Sequence, residues 1–121
     1  MPITVLIADD SAVIRKALRI FLNGRTDFAI VAEATNCAET IKLLKDLRPN
    51  VLLFDLHLPE SHDQPITFRE YLDQTKIVAM TLGTDEIAKA LAEHIGANVL
   101  VHKADLTTEL IPLVVGLMQK S

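Results

Sequence analysis

The feature that most limits the fold of this chain is a regular alternation of short apolar runs and longer stretches of helical period. The apolar runs are Thr4-Val5-Leu6-Ile7-Ala8, Phe28-Ala29-Ile30-Val31-Ala32, Val51-Leu52-Leu53-Phe54, Lys76-Ile77-Val78-Ala79-Met80 and Val99-Leu100-Val101. They do not alternate polar with apolar, so both faces of each strand are to be covered. That is the mark of a parallel sheet between layers of helices. The first helix is predicted over residues 11–22, with Val13, Ile14, Ala17, Leu18 and Phe21 on its buried face and Asn23-Gly24 as its stop. Asn36 and Glu39 resemble a capping box and open a second helix carrying Ile41, Leu44 and Leu47, which Arg48-Pro49-Asn50 closes. A polar, proline-bearing stretch over 57–65 leads to a short helix at 66–73. Thr84 caps the next helix, with Asp85 and Glu86 favourably placed in its first turn, and Gly96-Ala97-Asn98 ends it. The last helix covers 108–119, where Pro112 argues for a late start or a kink.

Five βα units in 121 residues make one domain, residues 1–121. They are too few for a closed eightfold barrel. The expected fold is α/β, a doubly wound five-stranded parallel sheet with right-handed connections and strand order 2-1-3-4-5. Composition removes other classes. The net charge of −4 gives no general attraction to nucleic acid or anionic lipid. A single cysteine, Cys37, excludes a disulfide framework and a multi-thiolate zinc site, and is read as structural. No apolar run approaches the ~20 residues of a membrane span. The start Met1-Pro2-Ile3-Thr4 does not read as a signal peptide, so the expected compartment is the cytoplasm.

In an open parallel sheet the ligand site lies at the carboxyl ends of the strands, beside the switch in strand order. Strand 1 runs into Asp9-Asp10, strand 3 into Asp55, strand 4 into Thr81 and strand 5 into His102-Lys103. Three carboxylates gathered there repel one another unless a cation sits among them. Oxygen ligands on an open site suit Mg²⁺. A carboxylate beside Mg²⁺ can attack a phosphoryl group, with an ammonium and a hydroxyl binding the remaining oxygens. Asp55 is the natural nucleophile, and Thr81 and Lys103 are the oxygen-binding candidates.

These residues, with Val5-Leu6-Ile7-Ala8-Asp9-Asp10, Leu53-Phe54-Asp55-Leu56-His57-Leu58-Pro59, Met80-Thr81 and the passage from Gly96-Ala97-Asn98 to Lys103, carry a resemblance that spans essentially the whole chain. The chain resembles the receiver domain of bacterial two-component response regulators, whose fold is flavodoxin-like. The resemblance implies that Asp55 accepts the phosphoryl group. It implies that Asp9, Asp10, Asp55 and the backbone carbonyl of His57 hold Mg²⁺, and that Thr81 and Lys103 contact the phosphoryl group. It further implies a sensor histidine kinase as donor. The output surface would be the helix after Thr84, the strand 99–101 and the last helix, with a homodimer through that surface or a DNA-binding effector domain outside this chain as partners. The domain is expected to be a self-phosphorylating switch rather than a turnover enzyme.

Four departures from the family pattern stand out. Leu82 replaces a small residue after the switch hydroxyl and is expected to narrow the mouth over Asp55. Leu100 replaces the usual aromatic three residues before Lys103. The passage from Asp55 to Thr81 is short and lacks a glycine after Pro59, so the third helix is expected to be reduced. Ala104 stands where many members carry proline, which puts the usual cis peptide in doubt. His57 has two readings, over the phosphoryl site or out to solvent. His62, His94 and His102 read as loop and surface residues. The wide apolar arc Leu110, Ile111, Leu113, Val114, Val115, Leu117 and Met118 marks either a partner surface or a deeply buried helix. The alternative function is a phosphorylation-independent pseudo-receiver acting as a protein-binding or dimerisation module. A phosphatase with an Asp nucleophile is disfavoured by His57, where a second acid is wanted, and a flavin site by Asp9-Asp10-Ser11-Ala12 after strand 1.

Overall fold

In the computed structural model, which describes residues 2–58, 67–83 and 86–119, the strands are β1 (Ile3–Ala8), β2 (Phe28–Ala34), β3 (Val51–Asp55), β4 (Lys76–Thr81) and β5 (Val99–His102). They form one sheet in the order β2-β1-β3-β4-β5, every neighbouring pair parallel. The register slips between Val5 and Leu6 on the β2 side, leaving Val31 unmatched and pairing Ile7 with Glu33. The helices are α1 (Ala12–Asn23), α2 (Cys37–Leu47), α3 (Glu86–Ile95) and α4 (Leu106–Gln119).

Alternate residues of the central strands feed two cores. Leu6, Ala8, Leu52, Phe54, Ile77 and Ala79 meet Leu44 of α2 and Ala88, Ala92 and Ile95 of α3, with Phe68 and Tyr71 beneath. Val5, Ile7, Val51, Leu53, Val78, Met80 and Val101 meet Leu18 and Leu22 of α1 and Leu106, Leu110 and Val114 of α4. Phe54 and Phe68 are fully buried and meet edge to face, with ring centroids 4.9 Å apart. At the amino edge Asn50 Oδ1 accepts from the Thr4 backbone N–H (2.8 Å) and hydroxyl (3.0 Å), and the Thr4 hydroxyl accepts from Asn50 N (2.8 Å). This clamp fixes the start of β1 against that of β3.

Four expectations are corrected. Val13 is 76% exposed rather than on the buried face of α1. The inward face is set by Leu18 and Leu22, and Val13 lies one residue, about 100°, out of phase with half-buried Ile14. Ala17 is exposed as well. The helix expected at 66–73 has its first residue outside the described ones, and residues 67–73 hold only the 3₁₀ turn Arg69–Tyr71. Phe68 N donates to Ile95 O (2.8 Å), and the Thr67 hydroxyl accepts from Arg69 N (3.2 Å), so these amides are committed elsewhere. The last helix starts early, at Leu106, and runs through Pro112. Proline removes the amide that would serve the carbonyl of Thr108, an exposed residue where water can replace it. Its wide apolar arc is neither an open surface nor fully enclosed. Leu110 and Val114 are buried, and Ile111, Leu113, Val115, Leu117 and Met118 are half-buried against the same core.

The cap expected at Asn36 is present, its side chain accepting from Glu39 N (2.8 Å). The Glu39 carboxylate returns to Thr35 N (2.8 Å). Arg48 ends α2 in the left-handed region at φ 46°. Cys37 is buried. The cap assigned to Thr84, the acid Asp85, His62 and most of the 57–65 stretch lie outside the described residues. No helix among the described residues is long and apolar enough to cross a membrane.

Candidate functional site

The carboxyl ends of β1, β3, β4 and β5 bring Asp9, Asp55, Thr81 and Lys103 together. β1 is prolonged by Asp9 N donating to Ala34 O (3.0 Å). Asp9 Oδ1 then accepts from Ser11 N (2.9 Å), while the Ser11 hydroxyl caps α1 by accepting from Ile14 N (3.2 Å). This turn buries Asp9 completely and leaves Asp10 exposed. Asp55 closes β3 and is buried. Its Oδ1 accepts from His57 N (2.9 Å), and Leu56 N donates to Met80 O (3.0 Å), holding the turn against β4.

Asp9, Asp10 and Asp55 each offer a carboxylate oxygen, and these oxygens lie within 4.8 Å of one another. Lys103 reaches in from the end of β5, its side chain only 6% exposed. Its Nζ is 2.8 Å from Asp9 Oδ2 and 3.3 Å from Asp55 Oδ1. One ammonium does not balance three carboxylates. Burial pushes the Asp55 carboxyl above its ordinary range, and the Asp9 charge adds to that, while the His57 N–H and Lys103 oppose it. Asp9 Oδ2 is buried and accepts no directed hydrogen bond; only the Lys103 charge accompanies it. Three carboxylates with oxygens this close, and one ammonium against them, fit a hard divalent cation.

Thr81 ends β4 and is buried. Its Oγ1 accepts from Gly83 N (2.9 Å) and lies 3.2 Å from His57 Nε2. His57 is exposed as a residue, yet its ring reaches back to the site. Leu82 is 65% exposed, so most of it stands in solvent, and the group that meets Thr81 is His57. Leu100 is half-buried and packs against the core on the α2 and α3 face. Every peptide among the described residues is trans, Lys103–Ala104 included. Ala104 supplies an N–H that proline would lack, and His102 Nδ1 accepts it (3.0 Å) at the head of the 3₁₀ turn Lys103–Asp105. His94 lies in the last turn of α3, away from this cluster.

Sequence reasoning missed the support beneath Asp9. Arg15 Nη1 donates to the Asp9 carbonyl (2.9 Å), and Arg15 Nε to Glu33 Oε1 (3.1 Å). Arg19 Nη1 donates to both oxygens of Glu33, at 2.8 and 2.7 Å. The available signal was Glu33, a charge that continues an apolar strand one residue beyond where the apolar run ends.

Residues 5–114 match the family described as response regulator receiver domain. Among curated proteins, the chain is 37% identical over 93 residues to the transcriptional regulatory protein BtsR of Salmonella typhi, covering 76% of this chain and 39% of that protein. It is 34% identical over 85 residues to the oxygen regulatory protein NreC of Staphylococcus aureus, covering 68% of this chain and 39% of that protein. The chain therefore spans about two-fifths of the length of these relatives. Among solved structures, the signal receiver domain of the response regulator NarL from Mycobacterium tuberculosis superposes with a TM-score of 0.85 at 21% identity, covering 99% of this chain and 98% of that one. The non-phosphorylated receiver domain of RcsB from Escherichia coli gives 0.79 at 23%, covering 99% and 95%. A parallel sheet with an acidic cluster at its carboxyl edge, and a family match over nearly the whole chain, make this a member of the response regulator receiver domain family, the signalling domain of two-component systems.

Proposed function

We propose that this domain accepts a phosphoryl group on Asp55 from the phosphohistidine of a sensor kinase and thereby changes a protein-interaction surface. The observation that supports the reading best is a buried, terminal carboxylate and a second buried acid that share one buried ammonium, 3.3 and 2.8 Å away. An Asp55 oxygen forms the new P–O bond as the donor's P–N bond breaks, and the leaving imidazole takes its proton from solvent. Lys103 offsets charge on the phosphoryl oxygens, and the Thr81 hydroxyl donates to one of them. Asp9, Asp10 and Asp55, with the His57 carbonyl, would hold Mg²⁺. A bound ion would supply positive charge to offset the charge that develops on the phosphoryl oxygens. The Arg15 bond to the Asp9 carbonyl keeps that acid in place.

Since BtsR is named a transcriptional regulatory protein and this chain covers 39% of it, the output is read as a DNA-binding effector outside this chain. The surface built by α3, β5 and α4 is its proposed contact, or that of a second copy. The site is assigned to the cytoplasmic side of signalling, where the kinase donor is made. Intact mass after incubation with Mg²⁺ and acetyl phosphate tests the reading, with Asp55→Asn in parallel. One added phosphoryl group on the wild type alone is expected. No addition with small donors or kinases would overturn it in favour of a phosphorylation-independent binding module, and addition to Asp55→Asn would move the acceptor elsewhere.

A further inference from the structure

The Thr81 hydroxyl has one proton to give, and a ring nitrogen of His57 stands beside it. The hydroxyl oxygen already accepts from Gly83 N (2.9 Å), which leaves its own proton to be placed. A buried hydroxyl without an acceptor is costly. Among the described residues, His57 Nε2 at 3.2 Å is the acceptor within reach. With the ring proton on Nδ1, Nε2 is free to receive from Thr81, and it is this tautomer that the inference takes. In that tautomer the proton that a phosphoryl oxygen on Asp55 would take from Thr81 is already committed.

We infer that the His57 ring is a latch on the Thr81 hydroxyl, and that phosphoryl binding at Asp55 must break the Thr81–His57 hydrogen bond before it can recruit Thr81. This rests on the reading of Asp55 as the phosphoryl acceptor. His57 acts here through Thr81 and is a positioning residue. The turn that carries it is fixed at its base, because His57 N donates to Asp55 Oδ1 (2.9 Å) while the same residue's ring reaches β4. One residue therefore touches both the proposed acceptor and the hydroxyl that would serve it. A longer side chain at 57 that keeps an acceptor would hold the latch, and a short apolar one would open it.

The probe is fluoroberyllate with Mg²⁺, which mimics a phosphoryl group on a carboxylate. Its affinity is measured for the wild type, His57→Ala, His57→Gln, Thr81→Val and the double variant His57→Ala/Thr81→Val. Removing the competitor is expected to tighten binding about fivefold in His57→Ala, the factor that corresponds to one net hydrogen bond of about 1 kcal/mol. His57→Gln, whose amide oxygen can accept the same proton, should stay near the wild type. In the Thr81→Val background His57→Ala should have no effect. In the free protein, nitrogen shifts of the ring should report Nδ1 protonated and Nε2 accepting, and should move on Thr81→Val. Unchanged or weaker binding in His57→Ala, or the same gain without the Thr81 hydroxyl, overturns the latch while leaving Asp55 as acceptor. A ring protonated on Nε2 in the free protein overturns it whether or not the probe binds. Failure of the probe with the wild type and every variant overturns the reading of Asp55 instead, and the ring shifts still decide the direction of the bond.

Discussion

Arg15→Met separates a structural ion pair from the bond that positions the site. Methionine keeps the apolar stem and removes the charge and both donors. Two interactions go. The Arg15 bond to the carbonyl of fully buried Asp9 (2.9 Å) is a hydrogen bond from a charged donor, worth about 1.5–3 kcal/mol, and its loss leaves that carbonyl without this partner. The Arg15–Glu33 pair, with side chains 18% and 21% exposed, adds about 0.5–1 kcal/mol after solvent screening. Glu33 is not abandoned, since Arg19 holds both its oxygens. The sum is a destabilisation of about 2–4 kcal/mol. Arg19→Met, where the side chain is 43% exposed, loses only its share of Glu33 and should cost about 0.5–1 kcal/mol. Urea denaturation of both variants, with unchanged slope and shifted midpoint, reads the difference. Mg²⁺ affinity should fall in Arg15→Met and hold in Arg19→Met. Equal destabilisation of the two variants would mean that the bond to the Asp9 carbonyl contributes nothing, and would remove Arg15 from the support of the site.

The same geometry sets three other outcomes. Burial holds the folded-state pKa of Asp55 above its unfolded value, so its contribution to metal-free stability is complete below the ordinary carboxylate range and is lost as pH rises through the folded value. Asp55→Asn should therefore gain on the wild type as pH rises through that window, as pH series of unfolding midpoints would show; parallel curves would contradict it. Mg²⁺ at about a hundred times its Kd should stabilise the wild type by about 2.7 kcal/mol and leave an Asp9→Asn/Asp55→Asn variant nearly unaffected in thermal melts. Gly96 sits at φ 86°, and a Cβ there would come within 2.8 Å of Arg69 Cγ, whose Nη2 donates to Glu93 O (2.6 Å). Gly96→Ala should destabilise by about 1.5–3 kcal/mol, combining left-handed strain and a displaced Arg69 against a smaller gain from the stiffer unfolded chain. A change under about 0.5 kcal/mol would show that the turn relaxes freely.

The sheet was legible because uninterrupted apolar runs leave a strand no solvent face, and five of them in alternation with helices admit few topologies. The acids, Thr81 and Lys103 were legible for the same reason, since each comes within two residues of the end of an apolar run and so emerges at one edge. What was not legible depends on side-chain direction and on backbone groups. Val13 reads as core by hydropathy but lies out of phase with Leu18 and Leu22. The segment after residue 66 has helix-forming residues, but its amide at Phe68 is taken by Ile95. Arg15 reads in the sequence as an ordinary charge on an amphipathic helix; only its partner, the main-chain carbonyl of Asp9, gives it a role. The reach of His57 back to Thr81 is a rotamer choice that no spacing encodes.

The departures from the family pattern fall outside the acid cluster, and they redirect rather than remove what the cluster can do. Asp9, Asp55 and Lys103 are placed by strand ends and by backbone bonds at Ser11 and His57, none of which involves Leu82, Leu100 or Ala104. Ala104 is accommodated by His102, which caps the N–H that proline would not have. Leu100, where the family usually has an aromatic, packs into the core on the α2 and α3 face. What Thr81 does touch is His57 on one side and Gly83 on the other. On the proposed function, recruitment of Thr81 by a phosphoryl oxygen is then felt first in the turn after β3 and in the exposed Leu82 segment after β4. On that reading the imidazole at 57, rather than a residue of β5, carries the consequence out through the ends of β3 and β4.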